Sequence, residues 1–236
     1  MTKKVKKKKL NIKRTLAFLL FIYIFCYIVY FLISRPIRHI EITGNEYVLD
    51  SEILRVSKLK DYPSFLKYSN NRIEKSLKNI KFIDEVEVKK WFNYTIKINI
   101  KENKPLFYYK EKVVLSNGNI INNDMNNVYG IPIFQNNLNS DLLNKFIENF
   151  KVLDDNIIYE MDTIEYYPLK NDKGKIVTKD RFKIVMNDGN NVIVNTKSLS
   201  VINKYNDIYA SLGDRKGIIN LDTNEIKNLI FLPFEE

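Results

Sequence analysis

Cysteine, histidine and tryptophan each occur once in the 236 residues, and glycine and proline are scarce, at seven and six. A single histidine, His39, excludes a His-rich zinc site and leaves little room for a Ser-His-Asp triad. The one cysteine, Cys26, lies inside a long apolar run. The remainder of the chain therefore has no thiol nucleophile and no disulfide, and its own core must stabilise it. Neither a G-x-S-x-G elbow nor a phosphate-cradling G-x-x-x-x-G-K is present. Carboxylates are plentiful, but Asp84, Glu85, Glu87, Asp154 and Asp155 alternate with strand apolars or sit in loops, as solvated charges do. No acid pair of the kind that cleaves glycosides is singled out. The sequence points to a non-enzymatic protein and implies no cofactor, metal or small-molecule substrate.

What the chain does have is a run of nineteen residues without a charge, Thr15 to Ile33. At about 1.5 Å per residue such a helix crosses roughly 30 Å of hydrocarbon. A core helix of a small domain is seldom apolar on every side for that length. Lys3, Lys4, Lys6, Lys7, Lys8, Lys9, Lys13 and Arg14 precede the run with no acid among them, and only Arg35, Arg38 and His39 follow closely. The positive-inside bias puts the N-terminus in the cytoplasm and everything after residue 34 outside, a single-pass type II arrangement. A cleaved signal peptide is the competing reading. Its apolar core is usually shorter and ends on small residues, whereas here Phe31, Leu32 and Ile33 are bulky up to the boundary, which favours an uncleaved anchor.

The formal charge of +10 suggests nucleic acid at first sight. All of that excess, however, sits beside the apolar run, and residues 39–236 are close to neutral. The basicity sets topology and is read as a contact for anionic headgroups, not as a DNA or RNA site.

Beyond the span the pattern is mixed. Pro36 ends the helix, and His39 to Thr43 reads as a strand closed by Gly44-Asn45. A helix from Asp50 or Ser51 to about Leu59 buries Ile53 and Leu54, and a second, Asn70 to Asn79, carries Ile73, Leu77 and Ile80 on one stripe. Residues 85–89 and 95–101 alternate apolar and polar, the signature of half-buried strands. Trp91-Phe92-Asn93-Tyr94 joins them as a hairpin turn; core packing against the helices is the expected fate of Trp91, Phe92 and Tyr94, with an exposed patch at the tip as the alternative. The order is strand, helix, helix, strand, strand.

The segments Ile40-Glu41-Ile42-Thr43-Gly44-Asn45, Ile80 to Val88, and Ile96 to Leu106, in this order behind a basic tail and one span, resemble the FtsQ/DivIB family of bacterial cell-division proteins. In that family a POTRA domain follows the span. One departure is Phe92 after Trp91, where the family often has proline. The resemblance implies a POTRA domain at 35–105 between the span, 15–34, with its cytoplasmic tail, 1–14, and a β domain at 106–222 followed by a tail, 223–236.

The second domain shows hairpins at 113–121 and 182–194, a helix from Asp141 to about Lys151, and a strand at 164–166. A helix from Ser198 is ended by Gly213, and Gly217 to Leu221 is read as a last strand; Asn122 to Asn139 reads as loop. The Asp188-Gly189 hairpin, Tyr209-Ala210-Ser211-Leu212-Gly213 and Gly217-Ile218-Ile219-Asn220-Leu221 resemble the family's β domain. The fold class is thus α+β, mostly antiparallel in the second domain.

A last strand at a sheet edge offers free N–H and C=O groups to a partner's strand. The resemblance implies that Ile218, Ile219, Asn220 and Leu221 present such an edge, with Tyr205 and Tyr209 beside it, to the small bitopic partner DivIC or FtsB, and that FtsL is a further bitopic partner of the protein. The plainer reading keeps the two tyrosines in the core, since aromatics at i and i+4 usually pack inward. The island Phe231-Leu232-Pro233-Phe234 docks either on the domain or on a partner. A divisome scaffold at the septum is the expectation. An anchored cell-wall enzyme and a sensing domain are the alternatives, the second weakened by a cytoplasmic segment of only fourteen residues.

Overall fold

The apolar run forms the first element. The structure, a computed structural model, describes residues 11–123, 128–213, 215–222 and 230–235. The basic residues before Asn11 lie outside them. Helix α1 spans Ile12–Ser34 and none of its residues is buried, so an apolar surface about 35 Å long is left for a surrounding medium to cover. It is long and apolar enough to cross a membrane. Cys26 faces outward within it.

The chain divides after Lys101 into two compact units. In the first, β1 (His39–Thr43) is followed by α2 (Asp50–Val56), α3 (Asn70–Leu77), β2 (Ile83–Trp91) and β3 (Thr95–Glu102), the expected β-α-α-β-β order. The sheet order is β1-β3-β2, and β1 runs parallel to β3 with His39 opposite Thr95. The alternation in β3 buries Ile96, Ile98 and Ile100 against Ile53, Leu59, Ile73 and Leu77. Gly44 follows β1 at φ +84, with the Ile100 carbonyl where a Cβ would sit. Asn45 then turns the chain toward α2 through bonds from Nδ2 to the Val48 carbonyl and Asp50 Oδ1, both 2.8 Å.

The turn between β2 and β3 departs from expectation. Tyr94, at φ 65, folds partly inward and meets the Phe65 ring edge-on at 5.4 Å. Trp91 remains 57% exposed and Phe92 is fully exposed. A tight turn leaves its first two side chains nothing to pack on, so they form a projecting tip.

The second unit is built on nine strands: β4 (Pro105–Tyr109), β5 (Lys112–Leu115), β6 (Ile120–Ile121), β7 (Ile133–Phe134), β8 (Met161–Tyr166), β11 (Phe182–Met186), β12 (Asn191–Val194), β13 (Gly217–Asn220) and β14 (Ile230–Pro233). Their order is β14-β13-β12-β11-β8-β7-β4-β5-β6. A separate two-stranded ribbon joins β9 (Leu169–Lys170) to β10 (Ile176–Thr178). Helix α4 (Ser140–Phe150) is capped by Asn139, whose Oδ1 accepts from Leu142 N at 2.8 Å, and so begins one residue before Asp141. Its Phe146 and Phe150 join Phe107, Phe134 and Phe182 in one aromatic cluster, with Phe146 and Phe182 centroids 4.5 Å apart. Helix α5 (Asp155–Tyr159) packs Ile157 and Ile158 inward. A 3₁₀ turn, Leu199–Lys204, leads into α6 (Tyr205–Ser211), where a continuous helix from Ser198 was expected.

Gly44→Ala is expected to lower stability by about 3 kcal/mol, since it combines a left-handed backbone with a collision against backbone oxygen. Thermal unfolding of the variant checks this.

Candidate partner-binding edge

Gly217 to Asn220 does form a strand, but not the edge. The sheet continues through β14, contributed by the apolar island at 230–233. The β13–β14 register pairs Gly217 with Pro233, Ile218 with Leu232, Ile219 with Phe231 and Asn220 with Ile230. The expectation that residues 218–221 present a free edge is therefore corrected: an intramolecular strand occupies it. On the other side β13 runs parallel to β12, with Leu221 N donating to Ile193 O at 2.7 Å.

Gly217 makes this closure possible. A Cβ there would stand 2.3 Å from the Leu232 carbonyl and 2.7 Å from the Phe231 ring. Any other residue would push β14 away. Arg215 covers the Phe231 ring from outside, 5.4 Å from its centroid.

A hydrogen-bond network anchors the start of β13. Asn190 Oδ1 accepts from Gly217 N at 2.8 Å, and Asn190 Nδ2 donates to Tyr205 Oη at 2.9 Å. The Tyr205 hydroxyl donates to Asp188 Oδ2 at 2.6 Å, and Asn190 N donates to Asp188 Oδ1 at 2.9 Å. Tyr205 and Asn190 are both buried. Burial, reinforced by the Asp188 carboxylate, pushes the Tyr205 phenol above the range of any ordinary tyrosine. Tyr205 is thus an internal strut, as the plainer reading of its spacing held. Tyr209 is partly exposed and stacks on it with centroids 6.0 Å apart. Ile219 and Leu221 are buried, while Ile218 and Asn220 are partly exposed.

The exposed edge now belongs to β14. Phe234 N donates to Lys216 O at 3.1 Å. Antiparallel parity then turns the backbone groups of Ile230 and Leu232 toward β13, and those of Phe231 and Pro233 outward. Pro233 has no N–H, so Phe231 supplies the outward donor of this short edge. The side chains of Ile230 and Leu232, each 55% exposed, share a face with Ile218. Sequence reasoning marked this island as apolar without deciding its partner, since a four-residue run ending in proline shows no strand period.

Elsewhere, a concavity of about 840 Å³ runs along α3, lined by that helix's own polar residues such as Arg72, Glu74 and Lys75. Among the described residues no three His, Cys, Asp or Glu side chains converge as a metal would require.

Residues 35–103 match the POTRA domain, FtsQ-type. The chain is a relative of the FtsQ/DivIB division proteins. It is 28% identical over 230 residues to cell division protein DivIB of Listeria monocytogenes, covering 93% of this chain and 83% of that one. It is 26% identical over 220 residues to DivIB of Brevibacillus brevis, covering 88% and 81%. A solved structure, the major extracytoplasmic domain of the trans isomer of DivIB from Geobacillus stearothermophilus, aligns with 48% of this chain and 97% of its own, at 19% identity and a TM-score of 0.37. These FtsQ/DivIB relatives place the chain's role in cell division, and the N-terminal apolar helix fits membrane anchoring.

Tyr205→Phe is expected to cost about 1–3 kcal/mol, the loss of a hydrogen bond to a charged group. The pH dependence carries the sign of a raised pKa. The tyrosine's contribution is intact below pH about 10, where unfolded tyrosine stays protonated, and falls as pH rises further because the unfolded phenol ionises first. Unfolding curves of both proteins between neutral and alkaline pH should converge at the alkaline end.

Proposed function

We propose that the chain is a non-enzymatic bitopic scaffold of the division machinery. Its α1 is a signal anchor with the basic tail in the cytoplasm and both folded units outside. The supporting charge asymmetry is eight cations before the span against Arg35, Arg38 and His39 just after it. Anchoring confines the outer units to the membrane surface, which raises their effective concentration toward partners held in the same plane. The partners in this reading are single-span proteins of the FtsL and DivIC or FtsB type at the septum. Binding them helps recruit or regulate septal peptidoglycan synthesis.

The observation that carries the reading is the exposed β14 edge, with Phe231 N–H outward and Ile230 and Leu232 beside it on an apolar face. A partner strand laid along β14 would gain backbone hydrogen bonds from the edge and apolar contact from that face. Ile218 contributes to the face; Asn220, Ile219, Leu221 and Tyr205 act by holding β13 beneath it. A proline at Asn220 would disturb the pairing with β14, since parity turns Asn220's own N–H toward Ile230.

Phe231→Pro is the sharper test, because it removes the outward donor and keeps the N–H groups of Ile230 and Leu232 that face β13. Capture of a DivIC- or FtsB-type partner by the full chain is expected to weaken about tenfold or more, as for loss of one or two net hydrogen bonds. Unchanged capture would show that β14 is not the docking edge.

A further inference from the structure

The end of the first unit that faces the span is unusual in composition and in construction. Three segments meet there. Residues 35–38 lead out of α1, residues 62–68 form a loop, and residues 89–95 form the β2–β3 turn. The loop is tied directly to the end of the apolar helix. Ser64 Oγ donates to the Ile33 carbonyl, Phe65 N donates to Arg35 O at 2.8 Å, and Ile37 N donates to Pro63 O at 3.0 Å. The turn is tied to the same place, because Arg38 N donates to Tyr94 O at 2.9 Å and His39 pairs with Thr95. Lys90 Nζ links loop and turn by donating to the carbonyls of Phe65 and Tyr68.

The chain from Ser34 to Arg38 spans at most about 14 Å even when fully extended. The headgroup layer beyond the hydrocarbon is itself roughly 5–8 Å deep. The loop and the turn are therefore held within reach of the surface that α1 leaves. Alongside exposed Lys67, Lys89 and Asn93 they turn large apolar side chains toward solvent: Leu66 at 55%, Trp91 at 57% and Phe92 fully, with Tyr62 at 46%. The charged residues of the three segments are Arg35, Arg38, Lys67, Lys89 and Lys90, with no acid among them. The acid nearest to them in interaction is Glu87, which pairs with Lys89 at 2.8 Å. Aromatics flanked by cations, with Asp61 the one acid adjoining these segments in sequence, are the composition that favours a membrane–water interface.

We propose that the Trp91–Phe92 tip and Leu66 seat in the headgroup region of the bilayer that α1 crosses, with Arg38 and Lys67 meeting lipid phosphates. This rests on α1 being a membrane span and is independent of partner docking on β14. It gives the first unit a fixed stance on the membrane, because span, loop and turn provide three contacts where a lone tether would provide one.

Trp91 is the only tryptophan, so its fluorescence reports the tip alone. The full chain is reconstituted into phosphatidylcholine–phosphatidylglycerol vesicles, and vesicle flotation first establishes whether it is inserted. In floated vesicles Trp91 emission is expected to shift to the blue, to be quenched by lipids brominated near the headgroup end of the acyl chain, and to resist iodide. Phe92→Asp, at a position with no packing to lose, should remove most of the lipid quenching without changing the unfolding temperature. Trp91 emission that stays water-like and iodide-accessible in floated vesicles would overturn the proposal. So would shielding that appears only on adding a bitopic partner, which would make the tip a protein contact. Failure of the chain to float would overturn the span and this proposal together, whereas the other two results leave the span intact.

Discussion

Asn190 is the joint on which the far side of the second unit depends. Its side-chain oxygen holds the N–H of Gly217 and its amide nitrogen holds the Tyr205 hydroxyl, which in turn satisfies Asp188. One buried amide thus links the β11–β12 turn, α6 and the first residue of β13. Buried networks of this kind are costly when half satisfied and specifying when complete. Here completeness fixes where β13 begins, and β13 fixes where β14 can pair. Gly217 supplies the remaining condition, an absent Cβ at the point of closest approach. The placement of the outermost strand of the nine follows from these few contacts.

The same logic of placement governs the first unit. Its three-stranded sheet is ordinary in packing, with isoleucines of β3 buried against two short helices. Its orientation is set by a different group of bonds, those joining residues 33–38 to the loop at 63–65 and to Tyr94. Because these bonds begin at the last residues of α1, the sheet is not merely tethered to the helix but docked on its end. The cations and exposed aromatics at that docked end then lie where headgroups would be.

Periodicity disclosed the first unit well. The helix α3 stripe of Ile73 and Leu77, the alternation in β3 and the Gly44-Asn45 turn each have a local cause, and each stands where the pattern placed it. The second unit was less legible for physical reasons. Strands β7, β9 and β10 have two or three residues, too few to show a period. Pro105 to Tyr109 is buried at nearly every position, so β4 lacks the alternation that marks a half-exposed strand. The island at 230–233 was visible as apolar but not as a strand, since its pairing depends on Gly217, remote in sequence. The free edge was placed one strand too early for the same reason: a last recognisable strand is not always the last strand. The projecting Trp91–Phe92 tip was read inward because sequence does not tell a turn's aromatics which way to face.

The central claim is that β14 completes the sheet and leaves Phe231 as the outward donor. Amide hydrogen exchange of the full chain, alone and with a bitopic partner, reads this residue by residue. In the free chain Ile230 and Leu232 should be protected by the ladder to β13 while Phe231 exchanges freely, and partner binding should protect Phe231. An unprotected β14 in the free chain, or a bound partner that leaves Phe231 exchange unchanged, would contradict the account.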